Sequence, residues 1–179
     1  MKRSIGRARI FTRFFSLWVL ILVFLHGQAP AGAASSTDTR HQAAVVVLTA
    51  HDVVPVADPQ NSAQMTLFEL DANILALKEA GYRFLTPQEF HDFLDGKLQL
   101  SGKYALLTFD DGYRSTASFV LPMLKRHKIS AILFPVAKWY TPAPRPEPLS
   151  NPHLTAQETA ELLQNGWILG GHSYDGHWV

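Results

Sequence analysis

Short apolar runs alternate along this chain with segments that carry helix-start signals, and that alternation restricts the fold more than any other feature. The runs are Ala44 to Thr49, Tyr82 to Leu85, Tyr104 to Phe109, Ser130 to Val136 and Trp167 to Leu169. Between them, three threonines are each followed three residues later by glutamate: Thr66 with Glu69, Thr86 with Glu89, and Thr155 with Glu158. That spacing lets hydroxyl and carboxylate cap one helical turn reciprocally. The first helix carries Leu67, Leu70, Ile74 and Leu77 at core-facing spacing and stops at Gly81; the second has Pro87 at its first position and ends near Asp95-Gly96; the third ends at Asn165-Gly166. A further helix spans roughly Ser115 to His127, with Pro122 kinking it or marking its first turn. Strand following helix in this way predicts an α/β fold with a mostly parallel sheet. Asp52 to Gln64 reads as loop, and Thr141 to Pro152, with five prolines, as a stiff surface loop.

The amino terminus reads as a secretory signal peptide over residues 1–33. Its parts are the basic opening Met1-Lys2-Arg3, an apolar run from Phe14 to Leu25, and the small-residue site Ala31-Gly32-Ala33. An uncleaved anchor fits less well, because a span needs about twenty apolar residues. Residues 34–43 form a flexible lead-in, and 44–179 a single domain. Cleavage after Ala33 leaves eleven Lys and Arg against fifteen Asp and Glu, an acidic balance that argues against a nucleic-acid partner and leaves no further membrane segment. With no cysteine in an exported chain, any metal must be bound through nitrogen and oxygen.

The polar residues at the ends of two apolar runs carry the chemistry. Tyr104 to Phe109 leads into Asp110-Asp111-Gly112, two carboxylates that raise one another's pKa unless a cation or hydrogen bonds compensate. Along a strand the two would face opposite ways, so they reach one site only where the strand has ended, and Gly112 provides that ending. A solvated Asp-Gly turn explains the same residues without any function. The second cluster, Gly171-His172-Ser173-Tyr174-Asp175-Gly176-His177, holds two imidazoles five residues apart. On a helix they would diverge by about 140°, and on a strand they would face opposite sides, so a turn at Asp175-Gly176 is needed for them to converge. Such a pair is also common without a metal. Both readings stay open from the residues alone.

Thr108-Phe109-Asp110-Asp111-Gly112 resembles the first motif of the polysaccharide deacetylases with a NodB-like domain, family 4 of the carbohydrate esterases, and His172 to His177 resembles their second. The histidine spacing of five, where four is usual, is similar to the branch that de-N-acetylates poly-N-acetylglucosamine. Ala50-His51-Asp52-Val53, Leu77 to Tyr82 and Leu121 to Lys125 also resemble segments of that branch, so the likeness runs from about Val45 to Val179. It implies an incomplete, distorted (β/α) barrel. It further implies Asp110 as catalytic base, Asp111, His172 and His177 as ligands of a divalent metal, zinc first with cobalt or nickel as alternatives, and a metal-bound water as nucleophile. His51, also at a strand end, is the candidate acid for the leaving amine. Family members continue past the second motif, so the chain reads as C-terminally incomplete. The implied substrate is an N-acetylglucosamine-containing polysaccharide outside the cytoplasm. Alternatives are an O-acetyl esterase on xylan or another glycan, and an exported glycan-binding fragment without catalysis. Trp139, Tyr140, Tyr174 and Trp178 are candidates for stacking on sugar rings, although packing explains each of them too. Oligomeric state is not legible.

Overall fold

The computed structural model describes residues 43–140 and 153–175. Five strands make one sheet: β1 (Ala43–Ala50), β4 (Arg83–Phe84), β5 (Gly102–Asp111), β6 (Ile132–Pro135) and β7 (Ile168–Leu169). Every pairing is parallel, with the order β1-β5-β6-β7 and β4 joined to the first half of β5. β2 (Asp52–Val54) and β3 (Gln64–Thr66) form a separate parallel pair. This corrects the loop expected over Asp52 to Gln64: both strands are too short to show a period, and only their tertiary pairing defines them.

Among the described residues four α-helices connect the strands: α1 (Leu67–Glu79), α2 (Pro87–Leu94), α3 (Leu121–His127) and α4 (Ala156–Gln164). Thr66, Thr86 and Thr155 each accept from the backbone N–H of the glutamate three residues on, while that carboxylate accepts from the threonine N–H. The helix expected after Gly112 is divided. Thr116–Val120 is π-helical, and α3 follows directly with Pro122 in its first turn.

Strand alternation gives the sheet two differently covered faces. Leu48, Ala50, Leu107, Phe109 and Leu133 face Leu70 and Ile74 of α1, Met123 and Leu124 of α3 and Leu162 of α4, in the main core. Val45, Val47, Tyr104, Leu106 and Ile132 face the other way, where Leu85, Leu100 and the α2 residues Phe90 and Phe93 cover them. Toward the C-terminal ends of β1, β5 and β6 this second face opens into a cleft. The sheet is open among the described residues, as expected of an incomplete barrel. The proline-rich stretch 141–152 lies outside the described residues.

Candidate active site at the strand ends

Register brings the polar residues together. Ala50 pairs with Phe109, so His51 leaves β1 at the level of Asp110, the first β5 residue past the β1 pairing. Asp110 and Asp111 pair with Phe134 and Pro135. Beyond β7 the ladder continues: Gly170 N–H donates to the Leu133 carbonyl at 2.8 Å and His172 N–H to the Pro135 carbonyl at 3.3 Å. His51, Asp110, Asp111 and His172 therefore share one edge of the sheet, where parallel α/β folds carry ligands.

The turn that lets both aspartates serve this edge begins one residue earlier than expected. Asp111, not only Gly112, has a left-handed backbone, with φ of 66° against 80° for the glycine. Gly112 N–H donates to the Asp110 carbonyl at 2.8 Å, closing a three-residue turn centred on Asp111. This positive-φ γ-turn is rare for residues other than glycine, and such strain costs about 1–3 kcal/mol. Its effect is to rotate the Asp111 side chain away from the alternation of the strand. Ser173, next to His172, also has a positive φ of 80°. Its carbonyl accepts from Ala137 N–H at 3.1 Å and that of Tyr174 from Lys138 N–H at 2.8 Å, while Lys138 and Asp175 form an ion pair.

Two cross-strand pairs result. Nε2 of His172 lies 3.4 Å from Oδ1 of Asp111, and Nε2 of His51 lies 3.9 Å from Oδ2 of Asp110. A separation of 3.4 Å exceeds the usual hydrogen bond. It equals the edge between two ligands of a tetrahedral ion, which bonds of about 2.0–2.2 Å place roughly 3.4 Å apart. The donor set of carboxylate oxygen and imidazole nitrogen suits the same ion. Among the described residues no three His, Cys, Asp or Glu side chains are grouped to hold a metal. The remaining expected ligand, His177, lies outside them, as does Trp178.

Beside these pairs the cleft, about 410 Å³, is lined by Thr49, Thr108, Asp110 and His172 on its polar side and by Val47, Leu106, Phe90 and Phe134 on its apolar side. Thr49 and Thr108, opposite each other in register, join hydroxyls at 2.9 Å. Thr49 was not among the expected site residues, and Thr108 entered only as part of a motif, although period two sets Thr49 with His51 and Thr108 with Asp110. Near the same strand ends an aromatic cluster centres on His153, which the sequence did not single out. Tyr113 bridges His153 through the backbone and stacks on its ring at 5.3 Å, and Trp139 lies 4.0 Å from the same ring. Burial, then the negative charges of Asp111 and Asp52, push the Tyr113 phenol up, so it stays protonated. Trp139 is thus packed on His153, whereas Tyr174 is exposed.

An α/β sheet with two carboxylates and two imidazoles gathered at its strand ends carries groups suited to hydrolytic chemistry. Comparison with known proteins agrees. Residues 97–179 match the polysaccharide deacetylase family model. YxkH of Bacillus subtilis (strain 168), whose name carries that assignment provisionally, is 30% identical over 115 residues, 64% of this chain and 38% of YxkH. The poly-beta-1,6-N-acetyl-D-glucosamine N-deacetylase of Escherichia coli (strain K12) is 26% identical over 141 residues, 74% of this chain and 21% of that protein. The structure of IcaB from Ammonifex degensii superposes with a TM-score of 0.62 at 32% identity, covering 73% of this chain and 53% of that one. Over part of its length the chain therefore carries a polysaccharide deacetylase domain of the NodB-like type. It spans well under half the length of the curated relatives it matches. The family is one of hydrolases, in general dependent on a divalent metal.

Proposed function

We propose that this protein removes N-acetyl groups from an N-acetylglucosamine-containing polysaccharide, outside the cytoplasm, after export directed by residues 1–33. The domain proposed for this work is 44–179. The observation that carries the reading is the 3.4 Å approach of Asp111 and His172 immediately beside the pair of Asp110 and His51.

Asp111 Oδ1 and His172 Nε2, with His177 as third ligand, would hold a divalent ion, zinc before cobalt or nickel. When bound, that ion supplies Lewis acidity to the acetyl carbonyl and to water. Asp110 Oδ2 takes the proton of the attacking water. His51 Nε2, 3.9 Å away, gives a proton to the leaving amine. Asp110 and His51 thus divide base and acid work across the reacting carbon. Phe134 and the paired hydroxyls of Thr49 and Thr108 shape the cleft beside these groups. The choice of substrate is supported by the relative that acts, by its name, on poly-beta-1,6-N-acetyl-D-glucosamine.

The test is incubation of the full chain with an N-acetylglucosamine hexamer and zinc, following acetate and free amine. Equimolar release of both is expected. Acetate from O-acetylated xylan without amine from the hexamer would replace this reading by the esterase, and sugar binding without release by the glycan-binding alternative.

A further inference from the structure

The parallel ladder between β1 and β5 ends at Ala50 and Phe109, one residue short of His51 and Asp110. At 3.9 Å, those two side chains are too far apart to hold each other by a hydrogen bond. Asp110 is held by its pairing with Phe134 on β6, so the spacing depends on how the chain carrying His51 is placed beyond the β1 ladder. Along β2, alternate N–H groups face alternate edges: Asp52 N–H donates toward β3, to the Ala63 carbonyl at 3.1 Å, so Val53 N–H faces away from β3. It donates to Oγ of Ser115 at 3.2 Å, across 62 residues of sequence. Ser115 is nine-tenths buried and Val53 entirely so, which shields this bond from water. Ser115 stands four residues after Asp111, at the start of the π-helical turn, and Val53 two residues after His51. The bond thus closes a bracket whose first rung, the Thr49–Thr108 hydroxyl pair, lies two residues before His51 and Asp110.

We infer that Ser115 is a positioning residue that sets the spacing of His51 against Asp110 through the backbone of β2. The catalytic part of this inference rests on the reading of His51 and Asp110 as acid and base. Removing the hydroxyl leaves the buried Val53 N–H without an acceptor, so the strand bearing His51 shifts to find one. A displacement of a catalytic group by about 1 Å costs on the order of tenfold to a hundredfold in turnover, with little effect on substrate binding.

The experiment compares wild type with Ser115→Ala, Ser115→Thr and Ser115→Cys in the full chain, with the remote core variant Ile74→Val as a stability control. In Ser115→Ala, kcat on the hexamer is expected to fall about tenfold or more with KM within about twofold. Ser115→Thr, which keeps an acceptor oxygen, is expected to restore kcat to within about threefold, and Ser115→Cys to fall between. The cysteine variant also carries the test if the alanine variant does not fold. Amide exchange of Val53 should quicken about tenfold, and the His51 imidazole NMR signals should shift, in Ser115→Ala but not in Ile74→Val. Unchanged kcat in Ser115→Ala, or an equal loss in Ile74→Val, overturns the role. If wild type releases no amine, the proposed function fails separately. The Val53 exchange and His51 signals then decide whether Ser115 holds the strand, and unchanged signals refute it.

Discussion

Gly170 sits two residues before His172, and its lack of a side chain is what allows the Phe134 ring to lie against the backbone there. A Cβ at Gly170 would fall 2.2 Å from Cε1 and 2.3 Å from Cδ1 of Phe134, and 3.2 Å from Cζ. Carbon atoms in contact prefer about 3.5–4.0 Å, so Gly170→Ala forces a relative movement of more than about 1 Å. The ring cannot yield freely, because Phe134 lies on β6 in register with Asp110, and its ring lines the cleft. Overpacking of this kind costs about 1–3 kcal/mol, which for a domain of this size lowers Tm by roughly 3–15 °C. Thermal unfolding by circular dichroism measures it. The same variants should show weaker zinc binding, because the strain is relieved either in β6 or in the segment carrying His172. The double variant Phe134→Ala/Gly170→Ala removes the ring, so the additional cost of Gly170→Ala should vanish in that background. An unchanged Tm in Gly170→Ala, or an equal penalty with and without the Phe134 ring, refutes this packing argument.

Asp110→Asn is expected to lower kcat for amine release by a factor of about 10²–10⁴ while zinc stoichiometry stays at the wild-type value, measured by kinetics and metal analysis on one preparation. Loss of metal together with activity would make Asp110 a ligand and not a base. The pH dependence of folding provides another test. Burial pushes the Glu158 carboxyl up, but the N–H and hydroxyl of Thr155 and the Arg114 guanidinium together hold it below its ordinary value of 4.5. Because the folded value lies below the unfolded one, this stabilisation is complete above about pH 4.5 and is lost as pH falls through the folded value. Arg114→Gln should therefore be less stable than wild type at pH 7 in urea titrations, with the difference closing toward pH 3. A difference constant across that range contradicts the account.

What could be read from the sequence was local. The threonine-to-glutamate spacing placed three helix starts because each capping box is completed within four residues, and the apolar runs placed the five strands of the main sheet. The pairing of β2 with β3 was not legible, since Asp52–Val54 and Gln64–Thr66 become strands only through contact with each other. The turn was expected at Gly112 because glycine takes a positive φ at no steric cost; that Asp111 shares it reflects the 2.8 Å bond from Gly112 N–H to the Asp110 carbonyl, which no composition rule supplies. His51, Asp110, Asp111 and His172 could be nominated one by one, and the parallel register is what brings them to one edge. The Ser115–Val53 bond and the contact of Phe134 with Gly170 span sequence separations that carry no local signature.

The central claim is that Asp111 and His172 clasp one divalent ion. It is tested most directly by zinc titration of the full chain in a calorimeter, alongside Asp111→Ala and His172→Ala. The account predicts one zinc per chain in wild type and a loss of affinity of at least about tenfold in each variant. One zinc bound with wild-type affinity in either variant would contradict it.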